Sequence, residues 1–322
     1  MRVGQSARPS GSTPPDGRAV YLVTSADQPT LGEDDQLLQQ ALAAAGVPVH
    51  VAVWTDADVD WAGSAVCVVR SVWDYHLKPT LFRRWLTAVG EVTTLLNPPS
   101  LMAWNIHKRY LMQLAALGAP TIETVWITRG TRVALAALLA ERGWTEGLVK
   151  PAISASAWKT AKVSAGDQDG QRLVEDILQH TDVMVQPYLN TIERDGEISL
   201  VAIAGELTHA ARRASALTSS IATTRRGDTH TILEEERRLA TDILALLPTV
   251  PLYARIDLAR DERGRLRLGE LELIEPVLYL RHSPYALQSL VAELVSYTSA
   301  IPVSPTLDGA QTPRSGRGAD ST

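Results

Sequence analysis

Residues 253–276, YARIDLARDERGRLRLGELELIEP, constrain this chain more than any other stretch. They read as two strands joined by a tight turn. Residues 253–260 run out, Asp261-Glu262-Arg263-Gly264 turn with a glycine at the end, and 265–273 return. Side chains alternate faces along a strand, so Glu270 and Glu272 point the same way, and Arg255 and Asp257 share a face on the outgoing strand. Closing the hairpin brings the three carboxylates near one another in a register that sequence alone leaves open. Adjacent carboxylates repel unless a cation sits between them, and hard oxygen ligands suit Mg²⁺, which commonly completes its shell with substrate phosphates. Taken alone, the pattern describes a solvated acidic face as well as a cation site, because short acidic patterns are weak motifs.

At 322 residues the chain exceeds one typical core and predicts two or three lobes. A net charge of −5 supplies no basic field, so nucleic acid is not an expected partner. One cysteine, Cys67, excludes an internal disulfide framework, and its place in the apolar run 65–69 marks it as a small core residue. No apolar run approaches a membrane span and the N-terminus lacks a signal-peptide core, so a cytoplasmic protein is expected.

Residues 1–17, rich in Ser, Pro and Gly, predict a disordered leader. Apolar runs at 19–24, 48–54 and 65–69, with a helix at 37–45 closed by Gly46, predict strands alternating with helices and hence a parallel sheet. The third strand ends in Arg70-Ser71-Val72-Trp73-Asp74-Tyr75-His76. Open α/β sheets bind ligands beyond the carboxyl ends of their strands, so Arg70, Asp74 and Tyr75 are candidates for a substrate wall, and equally for a polar loop over the core. Asn97-Pro98-Pro99-Ser100 stops the first lobe. Ser100 then caps a helix expected to run to Leu117 and to carry Lys108.

A helix at 132–142 precedes the strand 148–151, which ends in Lys150-Pro151. It leads into the small-residue run 152–157, with a return strand expected at 158–163. Small residues between paired strands let backbone amides approach phosphate oxygens, Ser154 and Ser156 can add donors, and Lys150 supplies a point charge. A helix at 171–179 and a strand at 183–189 follow. Strands at 198–204 and 207–211 flank a turn, and the second ends in Arg212-Arg213. The Ser/Thr-rich stretch 214–231, containing Arg225, is long enough to read as a mobile lid. A helix at 234–246 precedes the hairpin. Ser283-Pro284 opens a last helix running to about 300, and 302–322 predict a disordered tail.

The ordered set resembles the ATP-grasp superfamily, in the branch of glutathione synthetase, RimK-type ligases and D-alanine–D-alanine ligase. Lys108, Val149-Lys150-Pro151 with its small-residue loop, Val185-Gln186-Pro187-Tyr188-Leu189, Glu197-Ile198-Ser199, Arg255-Ile256-Asp257 and Glu270-Leu271-Glu272 carry the likeness over residues 20–300. Arg70-Ser71-x-Trp73-Asp74-Tyr75, Asn97-Pro98 and the run 271–276 look like the cycloserine synthetases. The resemblance implies an α/β (α+β) ATP-grasp fold, in which a small N-terminal parallel-sheet lobe joins two α+β lobes that sandwich ATP. Boundaries are expected at 18–100, 101–189 and 190–301.

It further implies that Lys108 and Lys150 grip the ATP phosphates and that Gln186, Pro187, Tyr188 and Leu189 form the adenine hinge. Glu193 or Glu197 would meet the ribose, and Asp257, Glu270 and Glu272 would hold two Mg²⁺. Arg255 would steady an acyl phosphate, and Arg212 and Arg225 are candidate substrate or phosphate contacts. Glu272 stands where the family commonly has Asn, and the loop after Lys150 lacks the usual glycines. The implied activity is ATP-dependent joining of a carboxylate to an amine or related nucleophile through an acyl phosphate, on a small amino-acid-like substrate in specialised biosynthesis. A homodimer is common among such relatives. The rival readings are a small-molecule kinase on the same fold and a non-catalytic nucleotide-binding regulator.

Overall fold

The computed structural model describes residues 19–220 and 225–299. The expected leader and tail lie outside these residues, as does the part of the expected lid at 221–224. Strands β1 (Val20–Thr24), β2 (Val49–Val53), β3 (Val66–Ser71) and β4 (Leu95–Leu96) form a parallel sheet in the order β2-β1-β3-β4. Every residue of β1 and β3 is buried, because both sheet faces are covered. Val20 and Leu22 pack with Leu38 and Leu42 of the helix Glu33–Ala44; Tyr21 and Val23 pack on the other face with Phe82 and Trp85. That helix begins a turn earlier than its apolar pattern. Its first turn is Glu33-Asp34-Asp35, which suits a helix N-terminus, and Asp34 accepts the amides of Leu278 and Leu280 at 3.0 and 2.7 Å.

The second sheet, β5 (Val125–Ile127), β6 (Glu146–Pro151), β7 (Ala161–Ser164) and β8 (Val183–Pro187), is antiparallel in the order β5-β8-β6-β7. The return strand starts at Ala161 rather than at 158, because Trp158 turns out of line and its ring lies 5.4 Å from that of His76. The third sheet, β9 (Glu197–Ile203), β10 (Glu206–Arg213), β11 (Asp228–His230), β12 (Tyr253–Arg260) and β13 (Leu266–Glu272), is antiparallel in the order β11-β10-β9-β12-β13. Strand β11 lies inside the expected lid. Its three polar residues carry no hydrophobic period, so only the pairing with β10 reveals it.

Two devices join the sheets. The final helix, Pro284–Ser299, is capped by Ser283 and places Ala286, Leu290 and Leu294 in the cluster that holds Val20, Val66 and Tyr253. The free edge of β13 is closed by the backbone of residues 120–122 and by side chains, which also hold the start of β12. Asn97 donates to the carbonyls of Tyr253 and Leu273 at 2.9 Å each and accepts the Leu252 amide at 2.6 Å. Asn105 donates to the Leu271 carbonyl at 2.8 Å and accepts the Leu273 amide at 2.9 Å. The helix expected from 100 to 117 is therefore two, Pro99–Asn105 and Tyr110–Ala116, and Lys108 lies in the break. There the Lys108 amide leaves the helical ladder to donate to the Ala152 carbonyl at 2.8 Å.

Candidate active site

The hairpin register sets Arg255 opposite Glu272 and Asp257 opposite Glu270, and Arg255, Glu270 and Glu272 line a cavity of about 220 Å³ between the second and third sheets. Lys108 and Lys150, both buried, reach Glu270 from different elements. Lys108 Nζ lies 3.1 Å from Oε2 and Lys150 Nζ 2.9 Å from Oε1. Burial alone would raise the Glu270 carboxyl, but the two ammonium charges outweigh it and hold the group well below the usual carboxylate range.

Asp257 is fully buried and wholly engaged. It accepts from Ser199 Oγ at 2.7 Å, from Arg255 Nε and Nη2 at 2.9 Å each, and from Arg213 Nη2 at 2.8 Å. Burial opposes its ionisation; Arg213 and Arg255 prevail and hold it below its ordinary value. Arg255 also bonds Glu272, whose carboxyl is pushed up by burial and by the neighbouring acids against the pull of that arginine. Among the described residues no three His, Cys, Asp or Glu side chains are grouped to hold a metal ion. The expected acidic triad is thus split between cations: Glu270 and Glu272 line the cavity, whereas Asp257 lies behind Arg255 and Arg213.

One wall is the loop after Lys150. Ser154 is buried, with its hydroxyl donating to the Pro151 carbonyl at 3.2 Å, and Ser156 lines the opening. Ser156, Ala157 and Lys159 adopt φ of 51°, 55° and 52°, the left-handed region that glycine occupies without penalty. The opposite wall is the end of β8. Gln186 is buried and donates to Thr124 Oγ1 at 2.9 Å, while Pro187, Tyr188 and Leu189 face the cavity. Glu197 lies in the cavity beside Arg213 at 3.2 Å; Glu193 stands exposed outside it, accepting from the Tyr188 hydroxyl.

Of the expected substrate residues, Tyr75 and Arg225 line the cavity and three do not. Arg70 is buried in an ion pair with Asp35 at 2.8 Å and donates to the Pro276 carbonyl at 2.6 Å, clamping the first sheet to the end of the hairpin. Asp74 accepts from Trp54 Nε1 at 2.7 Å within the first lobe. Arg212 projects to the far face of its sheet, toward the Asp195 carbonyl and His230. Of this pair of adjacent arginines it is Arg213 that lines the cavity. Strand alternation separates the two faces, but nothing in the sequence said which face was inward. Arg225 stacks 3.7 Å over the Trp73 ring and reaches Ser156 Oγ at 3.4 Å. Sequence reasoning also passed over Asn105, Tyr110, Glu275 and Tyr279, each on the cavity wall.

A family model described as the N-terminal domain of the D-cycloserine synthetase DcsG matches residues 20–97. The cycloserine biosynthesis protein DcsG of Streptomyces lavendulae is 30% identical over 278 residues, covering 81% of this chain and 93% of that protein. The crystal structure of D-cycloserine synthetase DcsG matches with a TM-score of 0.75 at 29% identity, over 86% of this chain and 99% of that one. Two further structures share the fold. The ATP-grasp ligase PsnB, complexed with precursor peptide PsnA2 and AMPPNP, has a TM-score of 0.59 at 18% identity over 88% and 98% of the two chains. D-alanyl-alanine synthetase A of Vibrio cholerae has 0.64 at 15% over 87% and 98%.

Proposed function

The chain belongs to the ATP-grasp ligases, in the family of the cycloserine biosynthesis protein DcsG, and from that membership we propose that it activates the carboxylate of a small amino-acid-like substrate with ATP and closes a C–N bond. A carboxylate is a poor electrophile because its leaving group is oxide. Transfer of the γ-phosphoryl group gives an acyl phosphate and ADP, and an amine or similar nucleophile then displaces phosphate. Ring closure within one molecule, of the kind that yields an antibiotic precursor or product, is the form we favour, on the likeness to DcsG.

The observation that carries this reading is the convergence of Lys108 and Lys150 on the two oxygens of Glu270, beside Arg255. Each lysine has three donors and gives one to Glu270, so the others are free to hold phosphate oxygens at the same point. The loop at 154–156 would receive the phosphates through Ser154, Ser156 and its backbone amides, Gln186 to Leu189 would bracket the adenine, and Glu197 would meet the ribose. Glu270, Glu272 and Asp257 offer the hard oxygen donors that suit Mg²⁺. They would hold it once their arginines and lysines turn to phosphate, and the ion would supply neutralisation of the charge on the transferring group. Arg255 would orient the acyl phosphate, so catalysis would rest on positioning and charge compensation rather than on a covalent enzyme nucleophile. Cys67, buried and with its thiol pushed up to about 12 by burial, takes no part.

The test is ADP and phosphate release from ATP and Mg²⁺ across a panel of amino acids, ureido derivatives and short peptides, with product mass. Release stimulated by one carboxylate, with a product lacking one water relative to its substrates, supports the ligase. A stable phosphorylated product would make the protein a kinase, and nucleotide binding without stimulated release would make it a binder.

A further inference from the structure

Four carboxylates line the cavity, and three are paired: Glu197 with Arg213, Glu270 with both lysines, and Glu272 with Arg255. Glu275 is the exception. It is 8% exposed and has no ion-pair partner among the described residues. Burial, and then the Glu272 charge, push its carboxyl up to about 8, as happens to an acid held away from water beside another acid. Its backbone is fixed from two sides. Trp73 Nε1 donates to the Glu275 carbonyl at 3.3 Å, and Arg70 Nη2 to the Pro276 carbonyl at 2.6 Å.

A residue serving only to pack that wall would not need a carboxyl there, and an ammonium beside it would supply the counter-charge that favours its ionised form. The neighbouring lining is aromatic, with Tyr75 and Trp73, and the Trp73 ring already carries the Arg225 guanidinium at 3.7 Å, a surface that suits cations. Arg255 and Lys108 lie near enough for their charges to act on Glu275. A ligand with an anionic and a cationic group on adjoining atoms can therefore meet both kinds of partner at once. We propose that Glu275 receives the ammonium group of the substrate while the substrate carboxylate faces Arg255, making Glu275 the residue that selects α-amino acids. The inference rests on the ligase reading above and adds the residue that reads the substrate amine.

The experiment uses matched pairs of acids: D- and L-serine and D- and L-O-ureidoserine, each beside the acid with hydrogen in place of the amine. ATP turnover by the full chain and by Glu275→Gln is measured at saturating Mg²⁺. The wild type should show a KM at least tenfold lower for an amino form than for its partner. Glu275→Gln should raise that KM tenfold or more, treat both members alike, and keep its KM for ATP within twofold. Glu275→Asp, which retains the carboxyl, should recover part of the discrimination, and it stands in should the Gln variant fail to fold. Discrimination that survives in Glu275→Gln, or a loss of ATP and Mg²⁺ affinity equal to the loss for the acid, overturns the assignment. Should no pair support turnover, the ligase reading fails separately. Calorimetric titration of the ATP-loaded protein with the same pairs then decides this one, and equal binding of both members, or binding of neither, overturns it.

Discussion

Arg213 Nη2 lies 2.8 Å from Oδ2 of Asp257, so the carboxylate expected to serve as a metal ligand is held by a guanidinium from β10, two strands away in the same sheet. Arg212, one residue earlier, is on the opposite face. We expect Arg213→Met to lower kcat/KM for ATP turnover by about 10²-fold or more, the scale for removing a preorganised charge from a reacting centre. Arg212→Met should stay within about threefold, as befits an exposed group away from such features. Steady-state kinetics of the two variants side by side decide it; equal losses would remove Arg213 from the site.

Glu270 fixes the sign of an acid-stability effect. Its folded carboxyl is held below the unfolded value, because Lys108 and Lys150 outweigh burial. The stabilisation is therefore complete above the unfolded pKa of about 4.3 and is lost as the pH falls toward the folded value. Urea midpoints should decline between about pH 5 and 3 in the wild type. Glu270→Gln, which leaves two lysines facing each other, should begin less stable at pH 7 and show a flatter acid limb. An unchanged slope would refute the pairing.

Arg70 is predicted to be structural. Breaking its buried pair with Asp35 leaves an uncompensated charge, so Arg70→Met should cost about 3–5 kcal/mol in chemical unfolding. The protein that remains folded should keep its KM for the acid. A stable variant with a raised KM would return Arg70 to the substrate wall.

Asn97 closes hydrogen bonds to Tyr253, Leu273 and Leu252 from a fully buried position. Asn97→Leu orphans two carbonyls and an amide, each worth about 1–3 kcal/mol. We expect a fall in the melting temperature of roughly 10 °C or more for a chain of this size. A shift of a degree or two would mean that other groups satisfy these three backbone atoms.

The parallel first sheet was legible from its apolar runs, and the hairpin from its turn residues, because both are local patterns: period, length and glycine at a fixed place. Lys108, Lys150, Glu270, Glu272, Arg255 and the 186–189 segment were legible as a set, and the structure brings all of them to one cavity. What stayed hidden depended on partners remote in sequence. The break that frees Lys108 exists because Asn105 and the Lys108 amide bond to β13 and to Ala152 rather than to their own helix. Strand β11 exists only as an addition to β10. The choice of Arg213 over Arg212, and of Glu197 over Glu193, turns on which face of a strand or which end of a short helix is inward. Alternation leaves that sign undetermined until a neighbouring sheet covers one side. The sequence by itself determined which groups this protein can bring to phosphate and carboxylate chemistry. Only the tertiary structure decided which charges neutralise one another, because that depends on distances of a few ångströms between residues on different strands and loops, Lys108 and Glu270 among them at 162 positions apart.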